Sequence, residues 1–387
     1  MPENASKSTL TNHYPVWAPR FWHGMRASQW WRVFLKNGFK LSLPKAHIAV
    51  GVSLITPINE LLAFKQWLLF GRQIRKTQIQ QDPIFILGHW RSGTTLLHEL
   101  LVTNPQLASP NTYQCFVPSH FLVSEMMLTT LGGFLLPKQR PMDNMQAGWK
   151  LPQEDEFALM NLGVPTPYLR LAFPETQEKM LEYLTLESLS DEDLQAWQDG
   201  FMWFLKALTY HFGGKQLVLK SPTHTGRIGV LAKMFPNAKF IHLSRDPVKL
   251  FCSTKRLWRS LEEVQALQQS RPEEHMDDYV LDCHQRMYDQ FEQDAKGMDS
   301  SRLARISYEE LAVNPLETVQ RLYTQLDLGD SKSVRAPLEE RLKNHKEYKP
   351  NVHRVDSVVQ KTVSFAWAEY SSRYGYDVQK QPSEMVG

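Results

Sequence analysis

The chain has 387 residues, 42% of them apolar, with 44 basic against 41 acidic side chains for a net charge of +3. That excludes disorder as the default and gives a nucleic-acid partner no charge support, so any basic site has to be local. Cys115, Cys252 and Cys283 lie too far apart for metal-ligand spacing and are too few for a disulfide framework, so they read as buried free thiols in a reducing compartment.

Residues 1–82 read as an N-terminal helical extension. Its start, MPENASKSTLTNHYPVWAPR, shows polar residues and two prolines where a secretion signal has a basic segment and an apolar run, which points to a cytoplasmic protein. The most apolar window, AHIAVGVSLITPINELLAF (46–64), is broken by Pro57, Asn59 and Glu60 and falls short of the roughly 20 residues a spanning helix needs. Trp17, Trp22, Trp30 and Trp31 sit among Arg20, Arg26, Arg32 and Lys36. Two readings stay open: a helical arm packed on the domain, or peripheral membrane contact through residues 17–70. The polar stretch QIRKTQIQQDP (73–83) marks a boundary with a domain over 83–387, whose motifs end near 330 and whose last segment, 331–387, closes it.

From 84 onward, short β-rich runs alternate with helical patterns: IFILG (84–88), QLVLK (216–220), KFIHLS (239–244) and LARIS (303–307). The alternation predicts an α/β fold with a parallel central sheet and flanking helices. Ser190 and Asp193 form a capping signal ahead of a helix whose Leu194, Trp197, Phe201, Leu205, Leu208 and Phe212 make a core stripe. Val280, Cys283, His284, Met287 and Phe291 make a second stripe after 277.

The chemistry begins in IFILGHWRSGTT (84–95). Gly88, four residues, Gly93 and a closing Thr95 have the spacing of a phosphate-cradling loop, with Thr94 where such a loop carries lysine. Gly93 permits close backbone approach, and Thr94 and Thr95 open a helix whose free N–H groups favour an anion. Arg91 supplies the charge the absent lysine would carry. A second cluster, FPNAKFIHLSRDPVKLFCSTKRLW (235–258), puts Arg245 at a strand's carboxyl end, Asp246 and Pro247 at a helix start, and Ser253 about two turns further on. A third, QLVLKSPTHTGR (216–227), ends a strand in Lys220, with Pro222 and His224 just beyond.

Together these pieces resemble the sulfotransferases that use 3′-phosphoadenosine 5′-phosphosulfate, in character nearest the broad bacterial and tyrosylprotein-type branch. The resemblance covers about residues 83–330 and implies a P-loop-like nucleotide-binding fold. It implies that Arg91, Ser92, Gly93, Thr94 and Thr95 hold the 5′-phosphosulfate, and that Arg245 and Ser253, eight positions apart, hold the 3′-phosphate. Lys220 would contact the bridging oxygen, and Tyr308, in RISYEELAVNPLETVQRLYTQLDL (305–328), would lie by the adenine. It implies a co-substrate and no metal. No strand ends in the acidic residue that holds magnesium in a nucleotide triphosphatase.

The sequence departs from the family where a base is needed. The cytosolic branch has histidine two residues after the lysine; here position 222 is proline and His224 follows. LPQEDEFALM (151–160) offers Glu154, Asp155 and Glu156, so two bases compete, with a slight preference for His224 on its short tether to Lys220. His89 and His98 flank the loop. The expected reaction is transfer of a sulfuryl group to a hydroxyl, less readily an amine, of a small-molecule, lipid or glycan acceptor. Tyr113, Phe116, Phe121, Phe134 and Trp149 are candidate acceptor lining, and KEYKPNVHRV (346–355) a candidate closing segment. The alternatives are a nucleotide-dependent kinase of P-loop type and a non-catalytic nucleotide-binding partner protein.

Overall fold

A computed structural model describes residues 14–376 apart from 138, 141, 142, 144, 176, 177, 270–272, 333 and 346–355. Its centre is a five-stranded parallel sheet of β1 (Ile84–Leu87), β2 (Leu107–Ala108), β3 (Gln216–Lys220), β4 (Lys239–Ser244) and β5 (Leu303–Ser307), in the order β2-β3-β1-β4-β5. The four strands expected from sequence are present; β2, two residues long at the edge, carries too little pattern to have been read.

The strands are apolar on both faces because both are covered, as parallel sheets require. Phe85 and Leu87 of β1, with Leu217, Leu219 and Phe240, face a core shared with the helices Asp191–His211, Pro247–Gln265 and Glu273–Asp294. Ile84 and Ile86, with Val218, Ile241 and Leu243, face the helices Thr94–Leu101 and Pro315–Leu326. Both predicted stripes hold: Trp197, Phe201, Leu205 and Leu208 are buried on a helix whose Ser190 hydroxyl accepts from Asp193 N–H at 3.2 Å, and Val280, Cys283, His284, Met287 and Phe291 are buried on the next.

β1 lies between β3 and β4, so connections leave the centre in opposite directions and the carboxyl ends of β1, β3, β4 and β5 border one crevice. The chain places Gly93, Lys220, Arg245 and Tyr308 at or just past those four ends.

The arm differs from its expected form. Residues 46–64 belong to one helix, Ala46–Lys76, 31 residues long and continuous through Pro57, which lies on its exposed side. Proline removes one N–H and crowds the carbonyl a turn earlier. The helix is fixed beyond that point by Asn59, whose amide donates to the His23 and Met25 carbonyls at 2.6 and 2.8 Å. By length and composition alone this helix could cross a membrane, yet it lies against the body of the protein. Trp22 and Trp30 are buried, their indoles donating to Gln265 O and Ser53 Oγ, whereas Trp17 and Trp31 are exposed.

Candidate active site

The loop after β1 is shaped by three residues of positive φ: Gly88 at +141°, Arg91 at +73° and Gly93 at +95°. A Cβ on Gly88 would come within 2.7 Å of Leu243 O, and one on Gly93 within 2.3 Å of a Tyr308 ring carbon. Gly93 thus lets the Tyr308 ring rest on the loop. Arg91 adopts a conformation uncommon for a residue with a Cβ, the kind of strain that clusters at ligand sites. Helix Thr94–Leu101 starts at Gly93, leaving first-turn N–H groups without helical partners beside the crevice. Ser92 is fully buried in the turn and, unlike Arg91, Gly93, Thr94 and Thr95, does not line the cavity beside it.

Arg245 bridges two of the motifs. Its Nη1 donates to Arg91 O at 2.6 Å, and its guanidinium lies 4.4 Å from the Tyr308 ring centre. Asp246 caps the following helix by accepting from Lys249 N–H at 2.9 Å, with Pro247 as its first residue, as the sequence predicts. Arg91 donates through Nε to Ser253 Oγ at 3.0 Å and through Nη1 to Asp143 at 2.6 Å. Asp143 also pairs with Arg140 at 3.0 Å. Burial pushes the Asp143 carboxyl up, but Arg140 and Arg91 outweigh it and hold the group below its ordinary value. The loop arginine therefore reaches Ser253, so Arg91, Arg245, Ser253 and Tyr308 form one cluster.

The acidic triplet is built against the segment after β3, residue by residue. Glu154 pairs with Lys220 at 2.7 Å, Asp155 with His224 at 2.6 Å, and Glu156 with Arg227 in a two-pronged contact at 2.6 and 2.9 Å. Asp155 and Glu156 are fully buried. Burial raises both carboxyls, yet the charges and hydrogen bonds of His224 and Arg227 bring them below their usual values. The second oxygen of Glu154 accepts from Tyr168 Oη at 2.5 Å, and Tyr168 accepts from the Trp90 indole at 2.9 Å. Burial, then the Glu154 charge, drives the Tyr168 hydroxyl well above its ordinary value, so it stays a donor.

Beside this cluster lies a cavity of about 530 Å³. Its wall carries Arg91, Gly93, Thr95, Glu154, Arg245 and Tyr308 together with the apolar Phe21, Phe116, Phe157, Leu171, Trp258 and Leu261. Lys220 meets this wall through Glu154, whose side chain keeps 17% exposure. His224 does not meet it: it is fully buried between Phe85 and Phe201, with Nε2 on Asp155. The preference for His224 as base loses its ground, since the 3₁₀ segment Pro222–Arg227 turns the ring inward despite its closeness in sequence to Lys220. Burial lowers both His89 and His98 to about 3, and both are core residues.

Of the five aromatics expected to line the acceptor space, Phe116 does. Tyr113 donates to Ser124 in the core, Phe121 is buried, Trp149 donates to Gly132 O, and Phe134 is exposed. The segment 346–355 lies outside the described residues. Sequence reasoning missed Trp90, Tyr168 and Asp143. Trp90 stands inside the loop motif and could have been singled out; the other two come from segments without a motif. Among the described residues no group of three or more His, Cys, Asp or Glu is placed to ligate a metal ion.

Comparison with known proteins agrees with this geometry. The model of the sulfotransferase family matches residues 83–332. Two curated relatives, both named omega-hydroxy-beta-dihydromenaquinone-9 sulfotransferase Stf3, from Mycobacterium bovis and Mycobacterium tuberculosis, are 37% identical over 370 residues, covering 96% of this chain and 95% of theirs. Among solved structures, sulfotransferase STF1 of M. tuberculosis superposes with a TM-score of 0.63 at 18% identity, over 89% of this chain and 92% of that one. STF9 of Mycobacterium avium gives 0.64 at 16%, over 92% and 98%. These two likenesses speak for the fold. The family match and the 37% relatives carry the assignment, and against the kinase and non-catalytic alternatives they establish that this chain belongs to the sulfotransferase family, as an enzyme of sulfuryl transfer.

Proposed function

We propose that the enzyme moves a sulfuryl group from 3′-phosphoadenosine 5′-phosphosulfate to a terminal hydroxyl of a long, lipophilic acceptor, with Glu154 as the base. The observation that carries this reading is the Lys220–Glu154 pair, at 2.7 Å, whose carboxylate lines the same cavity as the phosphate loop and the apolar Phe116, Phe157 and Trp258. The N–H groups of Gly93, Thr94 and Thr95 receive the 5′-phosphosulfate; Arg245, Ser253 and Arg91 receive the 3′-phosphate; Tyr308 flanks the adenine. This sets Arg91 with the 3′-phosphate group, on the strength of its hydrogen bond to Ser253.

In the reaction, Lys220 leaves Glu154 for the bridging oxygen. The freed carboxylate takes the proton of the acceptor hydroxyl as its oxygen bonds to sulfur. The sulfur–oxygen bond to adenosine 3′,5′-bisphosphate breaks, and Lys220, with the loop amides, stabilises the charge that develops there. Tyr168 and Trp90 hold Glu154 in place. His224 acts as a positioning residue, fixing residues 154–156 through Asp155.

The acceptor class rests on the apolar residues that line the cavity and on the relatives, whose name describes a hydroxylated menaquinone. We place catalysis in residues 83–332, with 1–82 as an extension. A reducing, cytoplasmic setting is supported by three free thiols, of which Cys115 and Cys283 are buried and Cys252 is half-buried. The test is transfer of labelled sulfuryl from the donor to primary alcohols of increasing chain length. Rising kcat/KM with chain length is expected, and Glu154→Gln should lose roughly 10²–10⁴ in turnover. Equal rates on short polar and long apolar alcohols would overturn the acceptor class, and normal turnover in Glu154→Gln would overturn the base.

A further inference from the structure

The long arm helix, Ala46–Lys76, turns most of its large apolar side chains outward. Between buried Ile48 and Val52 near one end and Ile74 near the other, its inward face is small or polar: Thr56, Asn59, Ala63 and Gln66 are all buried, at spacings of three and four residues. Gln66 accepts from Leu122 N–H at 2.8 Å, while Asn59 ties down the turn at His23 and Met25. Its outward face carries Val50, Leu54, Ile58, Leu61, Phe64 and Leu68, with Leu54 69%, Leu61 71% and Leu68 66% exposed. Water favours the opposite arrangement, and a contiguous apolar face of this kind marks a contact surface.

Three observations say what covers it. From residue 26 to 76 the chain carries nine Lys and Arg against one acid, Glu60, in a protein whose total charge is +3. Glu60 is itself held by Arg26 and Ser28. Lys65, Arg72, Arg75 and Lys76 are exposed on the same helix as the apolar stripe. Helices Ala27–Lys36 and Phe121–Leu131, which pack beside it, add exposed Trp31 and Leu35 on one side and Met126, Met127 and Leu131 on the other. From there the chain passes exposed Phe134 directly to Leu136 and Pro137, which line the cavity.

We propose that this face seats the enzyme on an anionic membrane surface, with the helix lying in the interface and the cavity rim opening beside it. The polar contacts of Asn59 and Gln66 keep the helix on the protein, so it lies in the membrane surface and does not cross it. Basic side chains flanking an apolar stripe match anionic headgroups above an acyl layer. Lateral entry of a lipophilic acceptor past Leu136 and Pro137 follows; that clause alone rests on the acceptor class proposed above.

The test is flotation of the full chain with vesicles of equal parts phosphatidylcholine and phosphatidylglycerol. The protein should float with them, and partitioning should fall at least about tenfold in Leu61→Glu/Phe64→Glu/Leu68→Glu. It should fall by about fivefold per charge in Lys65→Gln/Arg72→Gln, and on vesicles of phosphatidylcholine alone. The thermal response of each variant to adenosine 3′,5′-bisphosphate, unchanged from the parent, verifies the fold. Failure of the parent to float, or equal flotation of the triple variant, would overturn the proposal. So would a dimer in solution that the triple variant abolishes, with no vesicle binding by either, since the face would then belong to a second copy. None of these readouts depends on turnover, so loss of the acceptor reading would leave them standing.

Discussion

Replacing Glu154 with glutamine keeps the shape of the side chain and its contact with Tyr168 but removes the charge opposite Lys220. The lysine side chain is only 3% exposed, so it is left as a buried cation without its carboxylate. Breaking a buried pair from one side costs roughly 3–5 kcal/mol, and the 17% exposure of Glu154 puts this case at the lower end. At about 2.1 cal/mol/K of unfolding entropy per residue, a chain of this size has about 0.8 kcal/mol/K, so about 3 kcal/mol lowers Tm by about 4 °C. An anion on Lys220 should restore what the glutamate supplied. Adenosine 3′,5′-bisphosphate should therefore raise Tm by more in Glu154→Gln than in the parent, while turnover falls. Scanning fluorimetry across a bisphosphate titration reads both effects. A smaller bisphosphate response in the variant than in the parent would refute the exchange of Lys220 between carboxylate and donor.

Arg245→Ala should weaken adenosine 3′,5′-bisphosphate by at least about tenfold and adenosine 5′-phosphate far less, by calorimetry; equal losses would remove Arg245 from the 3′-phosphate. His224→Ala should lower Tm through the loss of its partner to buried Asp155, yet keep turnover within about tenfold where it stays folded, because His224 does not face the cavity; a loss of the size expected for the base would return that role to it. His89, His98 and His242 are pushed by burial to about 3, whereas an unfolded histidine protonates near ~6.5. Below ~6.5 the unfolded chain binds more protons, so stability should fall by ~1.4 kcal/mol per pH unit for each residue, or about 4 kcal/mol at one unit below; urea midpoints flat across that window would contradict it.

The strands were legible because a parallel sheet buried on both faces writes unbroken apolar runs, and Ile84 to Leu87 is such a run. The turn at Gly88 and Gly93 and the strand-end position of Arg245 were legible because glycines and an arginine stand at set distances from the apolar runs that form β1 and β4. The partners across the site were not. Glu154 lies 66 positions from Lys220, and nothing local in EDE (154–156) tells which of its three acids faces the cavity and which two are buried. His224 misleads for the same reason: four residues from Lys220, a short 3₁₀ helix (Pro222–Arg227) directs it into the core. The arm helix was read as interrupted because proline and asparagine count against an interior helix turn, whereas here Asn59 bonds inward and Pro57 points outward.

The most direct measurement is a crystal structure with adenosine 3′,5′-bisphosphate. The account predicts the 5′-phosphate on the amides of Gly93 to Thr95, the 3′-phosphate on Arg245 and Ser253, and Lys220 released from Glu154 toward the 5′-phosphate. A nucleotide bound away from that loop, or one bound there with the Lys220–Glu154 pair intact, would contradict it.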